Sequence, residues 1–138
     1  MVLVDSSIWI EAARRDGDLH AKVGLESLLG EYEAVLCAPV RLEVLGGARE
    51  TERERLEHGF SCLPYLQVLD KDWRAAVENA WTLRDAGLTV PWNDVLIATV
   101  AVRSAMRVYA KDKHFAAMSP ILGLRLYEPG YGGSYRPE

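Results

Sequence analysis

The sequence predicts a single α/β domain in three layers, α/β/α, with a mostly parallel sheet of about five strands. Two observations carry this. Short apolar runs of strand length alternate with segments of helical period, the pattern of a parallel sheet covered on both faces. The 138 residues suffice for one domain with a sizeable core, and no linker or internal repeat divides them.

Val2–Val4 is an apolar run ending at Asp5 and is read as a buried first strand. Ser6 and Ser7 follow as candidate N-caps for a short helix through residues 8–12. Between Leu19 and Leu29 the apolar positions 19, 23, 25, 28 and 29 keep helical period, and Gly30 is the expected stop. Ala34 to Ala38 is the second strand. Pro39 then suits the first turn of a helix over 40–45, broken at Gly46 and Gly47. Residues 49–58 are densely charged and predict an exposed helix. Leu66 to Leu69 is the third strand, with Asp70 capping the next helix. In that helix Trp73, Ala76, Val77, Ala80 and Trp81 repeat at i, i+3, i+4, i+7 and i+8, and Gly87 suits its end. Asn93 is the expected cap of a helix over 94–105, apolar nearly all round and therefore deeply buried. Arg107 to Ala110 is the fourth strand, His114 to Met118 a short helix, and Gly123 to Tyr127 the fifth strand. The domain closes at residue 128, and the Gly/Pro/Tyr-rich tail over 129–138 is expected to be flexible.

Composition narrows the function. The N-terminus meets Asp5 without a basic segment, and the longest apolar stretch, Val95 to Val102, falls far short of the roughly 20 residues that span a bilayer. A cytoplasmic protein without a membrane partner is expected. Cys37 and Cys62 lie in apolar surroundings and read as buried, reduced thiols. His20, His58 and His114 form no zinc spacing with them. The formal net charge of −4 opposes a nucleic-acid partner unless some acids hold cations, which reverse the local sign. Trp9 and Trp92 are expected to pack in the core.

In parallel α/β sheets, ligands bind beyond the carboxyl ends of the strands, near the point where strand order reverses. Asp5 directly follows the first strand, and Asp112 lies two residues beyond the fourth. Asp94 falls in the first turn of the buried helix, and Glu43 within the helix after the second strand. Asp5 and Asp112 have a plain alternative as caps and Asp94 as a dipole partner, whereas Glu43, flanked by Leu42, Val44 and Leu45, is less easily explained away. Together, four carboxylates at one sheet edge repel one another unless a hard cation compensates, and all-oxygen ligation suits Mg²⁺ or Mn²⁺. There is no Walker loop, dinucleotide fingerprint or serine or cysteine nucleophile pattern to compete.

At these residues the chain resembles the PIN-domain family and, within it, the toxins called virulence-associated protein C. Leu3-Val4-Asp5-Ser6-Ser7-Ile8-Trp9-Ile10 is similar to that family's first block, Leu42-Glu43 after Ala38-Pro39 to its second, Asn93 to Thr99 to its third, and Lys111 to Phe115 to its last. The resemblance covers residues 1 to about 128. It implies Asp5, Glu43, Asp94 and Asp112 as metal ligands and catalytic acids, with Ser7, Asn93 and His114 in support. Two departures stand out: Ala110 replaces a frequent hydroxyl residue before the last acid, and His114 occupies a position where many members have a second Asp. The resemblance further implies a magnesium-dependent endoribonuclease, with Mn²⁺ able to substitute, that forms a homodimer and is inhibited by a cognate antitoxin. Arg14, Arg15, Lys111 and Lys113 border these blocks and are candidate RNA phosphate contacts. The alternatives are a housekeeping RNA-processing nuclease, a non-catalytic binding domain, and a phospho-accepting receiver built on Asp5, Asp70 and Lys111.

Overall fold

A computed structural model describes residues 1–138. The strands are β1 (Val2–Val4), β2 (Ala34–Cys37), β3 (Tyr65–Leu66) and β4 (Arg107–Tyr109). They form one parallel sheet in the order β3-β2-β1-β4. The helices are α1 (Ser6–Ala13), α2 (Leu19–Gly30), α3 (Ala38–Gly46), α4 (Glu50–Ser61), α5 (Asp70–Asp85), α6 (Trp92–Arg103) and α7 (Lys113–Leu122). Strand order reverses between β1 and β4, so the crevice beyond their carboxyl ends is the natural site of chemistry.

The sheet is buried on both faces, which is why its strands are continuously apolar. Along β1 successive side chains alternate: Val2 and Val4 join a core with Ile8, Leu25 and Leu28, and Leu3 joins the larger core with Val35, Ile97, Phe115 and Met118. Helix α6 is buried from Asp94 through Ala101, as its all-round apolar character requires. No helix is long and apolar enough to cross a membrane.

Several local expectations are corrected. The third strand stops at Leu66 because the next backbone groups are engaged elsewhere: Arg103 donates to the Gln67 carbonyl at 2.8 Å, and the Leu69 N–H donates to Asp72 at 2.7 Å. Asp72 therefore takes the capping role expected of Asp70, which is itself the first residue of α5. The fifth strand is reduced to one parallel bridge, Val108 to Leu126. Helix α7 runs on to Leu122, and Pro129 has no N–H with which to extend the pairing. At α1, Asp5 rather than Ser6 or Ser7 is the N-cap, accepting the Ser7 N–H at 3.1 Å. Asn93 is not the cap of α6. Pro91 holds that position, freeing the Asn93 side chain. Cys37 is buried but Cys62 is exposed.

The tail over 129–138, expected to be loose, makes specific contacts instead. Tyr135 stacks on Tyr127, Arg107 lies over the Tyr127 ring and donates to the Arg136 carbonyl at 2.8 Å, and Arg107 and Arg125 both pair with Glu138. Composition does not announce this, because the tail is anchored largely by Arg107 on β4, remote in sequence.

Two tryptophans behave differently from each other. Trp9 is partly buried, edge-on to Phe60 with centroids 5.0 Å apart. Trp92, expected in the core, is 75% exposed. Helix α5 forms as its periodicity predicts, yet only part of the apolar stripe meets the core. Ala76, Ala80 and Leu83 face inward, while Trp73, Val77 and Trp81 are 59%, 50% and 62% exposed. With Trp92 they border an apolar groove of about 450 Å³ between α5 and the start of α6.

Candidate active site

The four acids arrive from four separate segments. Asp5 caps α1 at the end of β1, Glu43 projects from α3 after β2, Asp94 lies in the first turn of α6, and Asp112 caps α7 beyond β4. The parallel sheet brings all four to its carboxyl edge. Burial lifts the Asp94 carboxyl to about 6. The charges of Asp5, Asp112 and Glu43 push the same way, and the His114 hydrogen bond opposes them. Asp5 is also raised, first by burial and further by Glu43, while hydrogen bonds from Ser7 pull it back. These mutual effects place the acids within one electrostatic neighbourhood.

Each carboxylate is oriented by its neighbours. The Ser7 hydroxyl donates to Asp5 Oδ2 at 2.6 Å and accepts the Lys111 N–H at 3.0 Å, tying the first block to the last. The other Asp5 oxygen, Oδ1, is buried with no hydrogen-bond partner. Asn93 donates to Glu43 Oε1 and to the Pro39 carbonyl. Ser6 donates to Glu43 Oε2 at 2.8 Å. His114 Nδ1 lies 2.9 Å from Asp94 Oδ2 and 2.9 Å from Asp112 Oδ1. The His114 backbone N–H also donates to Asp112, at 2.7 Å.

Potential ligand atoms of Asp94, Asp112 and His114 all lie within 4.8 Å of one another. This acidic cluster can hold a divalent cation. The orphaned Asp5 oxygen fits the same reading, because a buried carboxylate oxygen without a donor is costly unless a cation faces it. The donors are predominantly carboxylate oxygens, with one imidazole nitrogen available, a set suited to hard cations.

The PIN domain family model matches residues 2–119. The chain belongs to the PIN-domain family. Ribonuclease VapC11 of Mycobacterium tuberculosis (strain ATCC 25618 / H37Rv) is 38% identical over 133 residues, covering 91% of this chain and 96% of the relative. Ribonuclease VapC4 of the same strain is 32% identical over 127 residues, covering 86% and 92% respectively. Among solved structures, VapBC2 from Rickettsia felis bound to a promoter DNA fragment superposes with a TM-score of 0.74 at 20% identity. That match covers 92% of this chain and 98% of that one, and it shows the shared PIN fold.

The basic residues of this PIN domain divide into two kinds. Lys111 bridges Glu11 at 3.5 Å and Asp18 at 3.4 Å, and Arg14 faces Glu11 and Asp16 at 3.7 Å each. Arg15 and Lys113 are exposed and make no ion pair. Lys111 therefore braces the α1–α2 turn, and the ammonium that a receiver pocket would need is already engaged. Ser6 is the residue whose contact sequence reasoning missed. The local sequence offers it only as a cap, and nothing there announces a partner 37 positions away.

Proposed function

We propose that this PIN domain is a Mg²⁺-dependent endoribonuclease, the toxin of a toxin–antitoxin pair, with Asp5, Glu43, Asp94 and Asp112 as its metal-binding acids. The reading is carried by four acids from four segments at one sheet edge, with ligand atoms of Asp94, Asp112 and His114 within 4.8 Å of one another and a buried Asp5 oxygen that has no donor. The resemblance to named ribonucleases over nine-tenths of the chain supplies the substrate class.

In hydrolysis of a phosphodiester, a bound divalent cation supplies a lowered water pKa and positive charge at the leaving oxygen. The protein's own residues do the remainder. Asp5, Glu43, Asp94 and Asp112 provide the anionic cradle, with His114 beside the last two. Ser7 holds Asp5, and Asn93 holds Glu43, so the carboxylates are oriented before substrate arrives. Arg15 and Lys113 are free to contact the RNA backbone, which positions the strand without reading its sequence. Cleavage of total RNA should stop in EDTA and return with Mg²⁺ or Mn²⁺. Turnover that persists in EDTA would count against the assignment.

The partners follow the same reading: an antitoxin protein, as in the solved complexes, and a second copy of the chain. We assign the second copy to the apolar face of Trp73, Val77, Trp81 and Trp92. At these exposures three tryptophans present roughly 450 Å² of aromatic surface. With Val77 and the stems of Arg74 and Arg84 added, two copies reach the ~1,200 Å² of a small stable interface. The rim carries both signs, Arg74 with Glu78 at 3.7 Å and Arg84 next to Asp85, which lets a twofold contact pair opposite charges. Wild type should sediment as a dimer and Trp81→Asp as a folded monomer. A Trp81→Asp protein that remains dimeric would place the contact elsewhere.

A further inference from the structure

Glu43 is exposed, yet both of its carboxylate oxygens are held, each by a side chain distant in sequence. An exposed Glu usually samples many rotamers, because solvent satisfies its oxygens in any of them. Here Asn93, from α6, donates to Oε1. Ser6, from the first turn of α1, donates to Oε2 at 2.8 Å. Ser6 is itself only 4% exposed, so its hydroxyl is confined to this direction by packing. Two adjacent serines thus divide the labour: Ser7 orients Asp5, and Ser6 orients Glu43.

We infer that Ser6 is a positioning residue for the metal-binding site, holding the Glu43 carboxylate in its ligating orientation through the Ser6 Oγ–H to Oε2 hydrogen bond. The inference rests on the metal-dependent reading above and adds a residue to it. A carboxylate oxygen has two lone pairs, so Oε2 can accept from Ser6 and still face a cation. Partners of this kind typically change metal affinity or activity by about 10–100-fold when removed. The effect on folding should be small, since the exposed Glu43 recovers its lost hydrogen bond from water.

The test is Mn²⁺ affinity by calorimetry for wild type, Ser6→Ala, Ser6→Thr and Glu43→Gln, and for Ser6→Ala in the Glu43→Gln background, with melting in EDTA as the folding control. The expected result is about a tenfold weaker Mn²⁺ affinity for Ser6→Ala with an unchanged metal-free melting temperature. Ser6→Thr, which keeps the hydroxyl, should stay near wild type. Ser6→Ala should add nothing once Glu43 is Gln. Wild-type affinity in Ser6→Ala would overturn the role of Ser6 and leave the metal site standing. So would a Ser6→Ala loss that is undiminished in the Glu43→Gln background. Absence of Mn²⁺ binding by wild type would overturn both the metal site and the role of Ser6.

Discussion

Asp94→Asn is expected to lose RNA cleavage by about 100-fold or more, the scale of removing one preorganised charge-stabilising group, and yet to melt at a higher temperature than wild type in EDTA. The two effects have one cause. Asp94 is 7% exposed, and burial, joined by the charges of Asp5, Asp112 and Glu43, raises its carboxyl to about 6. A carboxyl raised above its unfolded value binds protons more tightly in the folded state. Metal-free stability therefore falls as pH rises from about 4 through about 6, and remains lower above that. Asn removes the ionisation and keeps an oxygen that can accept from His114. At pH 7.5 the gain should be on the order of 1–2 kcal/mol, a rise of several degrees. It should shrink toward zero near pH 4, where the wild-type carboxyl is protonated as well. Thermal unfolding in EDTA at both pH values, beside a cleavage assay in Mg²⁺, checks this. An Asn variant that cleaves at the wild-type rate, or is less stable than wild type at pH 7.5, would remove Asp94 from the site.

Asp72→Ala should destabilise the fold from outside the site, and it acts on stability with the opposite pH sign. Asp72 is 1% exposed, pairs with Arg103, and accepts the Leu69 N–H that begins α5. Burial alone would raise its carboxyl. The Arg103 hydrogen bond, the Leu69 amide and the Arg103 charge together outweigh burial and hold it below the ordinary carboxylate value. Its stabilisation is therefore complete above the unfolded carboxylate pKa and is lost as pH falls through the lower folded value. Breaking a buried pair costs about 3–5 kcal/mol, and the partly exposed Arg103 reduces this to about 2–3 kcal/mol. Denaturant unfolding at pH 7 should show that loss, and the gap between variant and wild type should narrow below about pH 4. A loss below about 1 kcal/mol would mean that the pair does not join α5 to α6 as described.

The two aspartates differ in how readable they were. Asp94 is legible as a candidate because it lies in the first turn of a helix that is otherwise apolar nearly all round, where a carboxylate is conspicuous. Asp72 was not, because it lies two residues after Asp70, and the conventional cap explained the local pattern equally well. Ser6 was read only as a cap, since its partner Glu43 enters from another helix. The exposed tryptophans were invisible for a related reason. A helical stripe tells which residues share a face, but not how much of that face the core covers, and Trp73 and Trp81 share a helix with the buried Leu83.

The amino-acid sequence by itself determined the α/β class, the strands β1, β2 and β4 and the helices between them, and it singled out the four acids proposed as ligands. Apolar period and charge placement are local properties, and strand length together with burial on both faces leaves few ways to assemble them. Only the tertiary structure decided that the last strand collapses to a single bridge, that Lys111 is neutralised by Glu11 and Asp18, that the tail docks on Arg107, and that Ser6 and Asn93 hold Glu43. Each is a contact between segments far apart in the chain. Its existence depends on the angle and distance at which packed elements meet, which no local pattern encodes.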